Sequence, residues 1–520
     1  MKSLLFLSLL FGASLGYKIL VYSPRAGQSH VNFLGRISDI LIEEGHNVTV
    51  VLPIVGERAP SNGTKLAKTI VIDRNSECIS VSQRFDEDMW NDHGFFEKAR
   101  VLHRLVVMHE CQCRRTLGED ALIEELIEEN FDLGISEAFD LCGMPFFHEI
   151  GIKKHVLVSS MMLIEWVAAM FGAPNLPSLV PASFGALSNS MTYTQRIENI
   201  LDVWMGDNFF DEMTMSIQKV ADAKHGRKVM DVKEKLTEAT FVITNSDPLI
   251  DFPRPISERI VNIGGISVPP AKPLDPYWTE VLNRRRRTVL FSFGSVAKSV
   301  SMPAEVKKSI LETFSRFPDT TFIWKYENEE ENVAKDYPNV ITSKWIPQNN
   351  LLNSPKLVMF ITHSGMASTL ETSARGVPML CIPLFGDQMR NAKMVETMGT
   401  GKSLKKKVLF NSDEFEAHIR DVLEDSSYHE KAKRLALMIK HRARNQRETL
   451  VRYVEFAARF GGMPEKRMPE LGYIQYYLLD IIVPALVIVL AVMMSLVYFT
   501  YRLTKWIIAF YKKTVKTKQA

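Results

Sequence analysis

WIPQNNLLNSPKLVMFITHSGMASTLETSARGVPMLCIPLFGDQ, residues Trp345 to Gln388, reads as a strand, a polar turn, a helix and a second strand. Val358 to Thr362 is an apolar run of strand length, His363-Ser364-Gly365 interrupts it, Met366 to Arg375 has helical spacing, and Gly376 stands where a helix C-cap belongs. The pattern predicts that His363 and the amides after it sit at a helix N-terminus. Unpaired N–H groups and the positive end of the helix dipole converge there, which suits a phosphate. Around that turn, Trp345 offers a flat face for a base and Gln348 an amide for its edge. Glu371 offers a carboxylate for ribose hydroxyls, and Asp387-Gln388 a polar pair for sugar hydroxyls. Taken singly, Trp345 reads equally as a core aromatic and Asp387-Gln388 as a helix N-cap. Jointly, at this spacing, they describe a nucleotide-sugar site.

Working outward, the same alternation of strand and helix begins at Thr288 with TVLFSFGS and continues through TTFIWKY, so an α/β domain is expected over 277–445. An earlier one is expected over 17–265, opening with KILVYS, HVNFLGRISDILIEEG and HNVTVVLP. The Pro- and Gly-rich stretch Gly264 to Pro276 reads as the linker. Two facing, Rossmann-like, doubly wound domains leave a cleft at their strand C-termini, where open α/β folds bind ligands. His30 follows the first strand in the loop SPRAGQSH, at the start of a helix facing that cleft. The segment from about Phe85 to Gly206 is rich in Met and Phe and is expected to supply helices lining an apolar pocket, although core packing explains the composition nearly as well. Amphipathic helices follow Asp413.

The ends bound the setting. Residues 1–16, MKSLLFLSLLFGASLG, have the layout of a cleavable signal peptide. Residues 446–480 read as terminal helices and a membrane-proximal segment. Ile481 to Tyr501 carries no charge and, at 1.5 Å per residue, spans roughly 30 Å, enough to cross a bilayer core. Pro484 lies in its first turn, and Tyr498, Tyr501 and Trp506 mark an interfacial belt. The tail 502–520 is basic, which predicts a cytosolic tail and a lumenal body, a single-pass type I arrangement. Overall charge is nearly balanced at +3, so no nucleic-acid partner is expected. Arg284 to Arg287 reads as a solvated linker or helix end. The cysteines Cys78, Cys111, Cys113, Cys142 and Cys381 lack metal-ligand spacing and leave disulfide pairing unassigned. Of two glycosylation sequons, Asn47 opens a buried strand and Asn62 lies in a polar loop, so Asn62 is the expected acceptor.

The order W-x-x-Q, H-x-G, a Glu eight residues after the His, then D-Q resembles the signature of the UDP-glycosyltransferases. It is most similar to the animal membrane-bound branch, the UDP-glucuronosyltransferases, in WIPQ and PLFGDQ. The resemblance implies a GT-B-like fold and transfer of glucuronic acid or glucose, with inversion, from a UDP-sugar to a hydroxyl of a small lipophilic acceptor, as in detoxification. It implies no cofactor beyond the UDP-sugar co-substrate and no metal, since hydrogen bonds and a helix dipole neutralise the diphosphate. The catalytic base is implied at His30, in the pattern strand, G-x-S-H, helix. Its carboxylate partner, an Asp in F-D-x-x-x-x-D, is replaced here by Glu137 after Phe131-Asp132; Asp140 is the alternative. UDP contacts are implied at Gly294, Ser295, Trp345, Gln348, His363, Gly365, Ser368, Glu371, Asp387 and Gln388. Four residues beyond His363, where many relatives have Asn, this chain has Ala367, one donor fewer. The lysines at 516 and 518 resemble a dilysine retrieval signal, which implies the endoplasmic reticulum membrane. Oligomeric state, a homo-oligomer included, stays open. Two other readings compete: a dinucleotide oxidoreductase, for which SPRAGQSH lacks the G-x-G-x-x-G turn, and a non-catalytic nucleotide-sugar-binding subunit.

Overall fold

A computed structural model describes residues 16–56, 61–76, 90, 95–462 and 472–517. Residues 1–15 of the expected leader and the last three residues lie outside this set, as does Cys78.

Two all-parallel sheets organise the body. The first comprises β1 (Lys18–Tyr22), β2 (Asn47–Pro53), β3 (Lys68–Ile72), β4 (Leu133–Glu137), β5 (His155–Ser159), β6 (Val242–Thr244) and β7 (Ile260–Asn262), in the order β3-β2-β1-β4-β5-β6-β7. The second comprises β8 (Arg287–Ser292), β9 (Thr320–Lys325), β10 (Val340–Ser343), β11 (Leu357–Thr362), β12 (Met379–Cys381) and β13 (Gly401–Ser403), in the order β10-β9-β8-β11-β12-β13. Strands covered on both faces need apolar residues at every position rather than alternate ones. Ile19, Leu20 and Val21 of β1 and Val289, Leu290 and Phe291 of β8 are accordingly all fully buried. In each sheet the direction of winding reverses between two neighbours, β1 and β4 in one and β8 and β11 in the other. Ligands of open α/β sheets bind at such reversals, outside the strand C-termini. The residues leaving those four strands are therefore the ones that matter.

The terminal helix Gln446–Phe460 returns to the first sheet, burying Leu450, Val454 and Ala457 beside Val156 and Phe241. Arg447 pairs with Glu43 and Glu44, and Lys154 Nζ donates to the Ala458 carbonyl at 2.6 Å. A second tie is the buried pair Arg390 Nη1–Asp251 Oδ1 at 2.6 Å, which fastens the helix Gln388–Met398 behind the second sheet to the loop after β6.

Arg285 donates to the carbonyls of Pro318 and Pro338 and Arg284 pairs with Glu280, so the basic run braces loops rather than forming an anion site. Cys113 and Cys142 form a disulfide, and Cys111 is disulfide-bonded as well; Cys381 is free and buried. The two sequons sit in surroundings other than those expected. Asn62 is half-buried with its Nδ2 donating to Thr69 Oγ1 at 3.1 Å, whereas Asn47 is exposed at the first position of β2. A polar loop occupies its own amide here, which composition does not reveal.

As a separate unit, Leu479–Thr517 forms one continuous helix. Its apolar part is long enough to cross a membrane. The helix continues past Tyr501, so Arg502, Lys505 and Lys512 lie on it.

Candidate active site

His30 lies in the first turn of the helix Gln28–Glu43, and Glu137 is the last residue of β4. Because β1 and β4 are neighbours, the turn after one and the end of the other meet. His30 Nδ1 is 3.2 Å from Glu137 Oε2. Glu137 is buried and further held by the Ser160 amide (3.2 Å), the Phe139 amide (3.4 Å) and the Ser160 hydroxyl. With Nδ1–H donated to this fixed carboxylate, Nε2 of His30 keeps its lone pair. Burial opposes charging the ring. The hydrogen bond and charge of Glu137, joined by the charge of Asp387, nevertheless raise the His30 pKa above the usual imidazole value. Asp140 is engaged elsewhere, its Oδ2 2.8 Å from His109 Nδ1 and its Oδ1 accepting from the Cys142 amide at 2.9 Å.

Opposite stands the loop after β11. Ser364 adopts a left-handed backbone (φ 65°), which turns the chain sharply from strand to helix. Its amide donates to Thr362 Oγ1 at 3.2 Å, and its carbonyl accepts from Asn391 Nδ2 at 3.0 Å. The helix Met366–Arg375 then starts at Gly365 without a side-chain cap, leaving its first amides free for a ligand, and stops at Gly376 (φ 67°). The His363 ring is wedged between two glycines. A Cβ on Gly294 would lie 2.8 Å from His363 Cε1, and one on Gly365 2.8 Å from Nε2. Gly294 also has φ 79°, so the loop after β8 needs glycine twice over. Burial and the nearby Lys325 push the His363 pKa down to about 4, leaving a neutral ring. Its Nδ1 is buried without a partner. Ser295, in the same loop as Gly294, is exposed.

Gln348, Ser368 and Glu371 come together. Gln348 Nε2 is 2.5 Å from Glu371 Oε2 and 3.3 Å from Ser368 Oγ. Burial raises the Glu371 pKa, the Gln348 bond and Arg375 opposing it. Trp345 is 64% exposed, so its ring face is open to a planar guest. Asp387 does not cap its helix; its Oδ2 accepts from Asn391 at 2.7 Å, and burial raises its pKa. Gln388 is turned inward, and its Oε1 receives the Leu384 amide at 2.9 Å, which fixes the PLFGDQ turn. No cluster of three or more His, Cys, Asp or Glu suited to a metal occurs among the described residues.

Sequence reading missed Asn391, Ser160 and Phe139. Asn391 stands one helical turn after Asp387, a spacing that was available; Ser160 reaches Glu137 only through the pairing of β4 with β5. The Phe139 ring lies 6.2 Å from His30 and opens an aromatic wall through Phe209 (5.8 Å) and Phe210 (6.0 Å).

Two parallel-sheet α/β domains whose reversal points carry a His–carboxylate pair on one side and an uncapped helix start on the other have the GT-B glycosyltransferase fold. The chain belongs to the UDP-glucoronosyl and UDP-glucosyl transferase family, whose family model matches residues 17–519. It is 31% identical to the ugt-47 protein of Caenorhabditis briggsae, over 92% of each chain. It is 30% identical to UDP-glucuronosyltransferase 1A9 of Mus musculus, over 89% of this chain and 88% of that one. Among solved structures, the fold is shared with Phytolacca americana UGT2 complexed with UDP-2fluoro-glucose and pterostilbene. There the TM-score is 0.57 at 14% identity, covering 85% of this chain and all of that one. The chain is thus a UDP-glycosyltransferase, a hexosyltransferase by family.

Proposed function

We propose that the protein transfers glucuronic acid or glucose from a UDP-sugar, with inversion, to a hydroxyl of a small lipophilic acceptor. The observation that carries this reading is the His30–Glu137 pair at the end of β4, within electrostatic reach of Asp387 from the opposite sheet. His30 Nε2 takes the acceptor's proton and the oxygen attacks the anomeric carbon. The bond from that carbon to the diphosphate breaks, and its electron pair goes to UDP. Glu137 stabilises the imidazolium that forms. The departing charge meets the first amides of the helix Met366–Arg375 and the neutral His363 ring, so hydrogen bonds replace a metal in this scheme. Asp387 and Gln388 hold sugar hydroxyls. Trp345 stacks on uracil with Gln348 at its edge, Glu371 binds the ribose, and Gly294, Ser295, Gly365 and Ser368 surround the phosphates. The first domain, 17–265, takes the acceptor against the Phe139 wall, and the second, 277–445, takes the donor.

The disulfides and the apolar helix support an endoplasmic reticulum enzyme with a lumenal body, acting in the clearance of lipophiles. The test incubates the full chain in membranes with UDP-glucuronate or UDP-glucose and a panel of phenols. A β-glycoside product from wild type and none from His30→Gln is expected. An α-linked product, or equal turnover by the variant, refutes the mechanism.

A further inference from the structure

Two arginines hold the linker between the domains. Arg375, at the end of the helix Met366–Arg375, donates from Nη2 to the Pro269 carbonyl at 2.7 Å and from Nε and Nη2 to Asn349 Oδ1 at 3.1 and 2.8 Å. Arg442 donates from Nη1 to Asp247 Oδ2 at 2.8 Å and to the Gly264 carbonyl at 3.1 Å, and from Nε to the Ile439 carbonyl at 2.9 Å. Both line a cavity of about 280 Å³ whose apolar surface comes from Ile250, Val268, Leu370, Ala374 and Ile439. Among the described residues, no acceptor meets Arg375 Nη1 or Arg442 Nη2. Gly265 keeps the second of these open, since a Cβ there would lie 3.5 Å from Arg442 Nη2. The cavity shares both arginines with a wider groove lined by Lys433, Lys440 and Arg444, and no acid is among the residues lining that groove. Asp247, which lines the inner cavity, is already paired with Arg442.

We infer that this cavity binds a compact apolar carboxylate, an aryl acid by class, at a site apart from the donor and acceptor pockets. None of its lining residues is among those assigned to either. The apolar surface suits an apolar body, and its volume is close to the lower end of ligand pockets, roughly 300 Å³. Guanidinium N–H groups left without acceptors suit a planar anion, which meets them through two oxygens. The cations of the adjoining groove add a field that draws an anion inward and repels a cation. The position gives the site a consequence. Asp247 and Ile250 belong to the loop after β6, Val268 and Pro269 to the linker, and Leu370 and Ala374 to the helix that also carries Ser368 and Glu371. An occupant therefore braces the linker and bears on the donor-binding helix, so its affinity and that of UDP are coupled reciprocally. The coupling rests on the donor site proposed above; the binding does not.

The test titrates 2-naphthoate calorimetrically into the full chain in phosphatidylcholine nanodiscs, with the heat from empty nanodiscs subtracted. Val268→Trp fills the cavity, Arg375→Gln removes one cation, and Phe139→Ala alters the acceptor wall. Wild type should bind one naphthoate, and Val268→Trp and Arg375→Gln should each weaken it by about tenfold or more, the scale of a lost charge-assisted hydrogen bond. Phe139→Ala should leave the affinity unchanged, and neutral 2-naphthamide should bind wild type about tenfold more weakly than the acid. Val268→Trp and Arg375→Gln act on different sides of the cavity, so either decides the matter if the other fails to fold. Absence of binding to wild type overturns the proposal. So does binding that survives both cavity variants and is lost in Phe139→Ala, which puts the acid in the acceptor pocket. Equal affinity for acid and amide overturns the role of the guanidinium groups. Saturating UDP should shift the naphthoate affinity by the same factor by which saturating naphthoate shifts that of UDP. If the cavity variants behave as expected and neither affinity shifts, the site stands and the coupling fails.

Discussion

Asp140 Oδ2 lies 2.8 Å from His109 Nδ1, inside the core, and so is committed to a different imidazole from the one that faces the cleft. That leaves Glu137 as the partner of His30, and the assignment has a kinetic signature. His30 must be neutral to accept a proton, so kcat/KM falls as pH drops through its raised pKa. Glu137→Gln removes the negative charge that helps raise it and leaves only a neutral amide acceptor, so the acid limb should move to lower pH while the plateau rate falls. Asp140→Asn should leave that limb where it is. His30→Ala should lower kcat by about 10²–10⁴-fold with UDP affinity retained. A pH–rate profile of each variant checks all three.

Gly294→Ala is expected to damage donor binding. The added methyl would lie 2.8 Å from the His363 ring, and the backbone at φ 79° disfavours any side chain. Calorimetry should find weaker UDP binding with little change in melting temperature, because the loop borders the cleft.

Trp345→Ala should weaken UDP by about 1–3 kcal/mol, the range for loss of a base-stacking aromatic. Trp345→Phe should recover part of it. The Trp345 ring is exposed and supports little packing, so unfolding should shift only slightly.

Arg390→Met leaves Asp251 buried without its partner and also removes the cation over Phe252, 5.1 Å from the ring centroid. Stability should fall by about 3–5 kcal/mol, with much of it regained in Arg390→Met/Asp251→Leu. Denaturant titration of the two variants decides this.

Cys113→Ser is expected to lower stability by about 3 kcal/mol, since the Cys113–Cys142 bond closes a loop across a sequence separation of 29. Acceptor KM should rise as well, because Cys142 anchors the Asp140 turn next to Phe139. Thermal unfolding and acceptor kinetics, with and without reductant, are the measurements.

The donor half of the site was largely legible in the chain because it is local. His363, Gly365, Ser368 and Glu371 lie within nine consecutive residues of one strand–turn–helix unit, and period and turn chemistry place them. Asp387 was legible as a polar residue at a helix start, but its bond to Asn391 rather than to its own helix amides was not. Neither was the use of Asn62 by Thr69, nor the packing of Phe209 against Phe139, since those partners are distant in sequence or face-dependent.

What the sequence alone determined is therefore the elements themselves: parallel strands from fully apolar runs, helix starts from His363-Ser364-Gly365 and G-x-S-H, and a bilayer-length helix from an uncharged stretch. Only the tertiary structure decided which carboxylate serves His30, because Glu137 and Asp140 are three residues apart and chemically alike. Their difference arises from direction: the last residue of β4 points along the cleft toward the helix after β1, while the turn that follows swings Asp140 inward to a helix more than twenty residues upstream. Local chemistry supplies candidates, and long-range strand pairing selects among them.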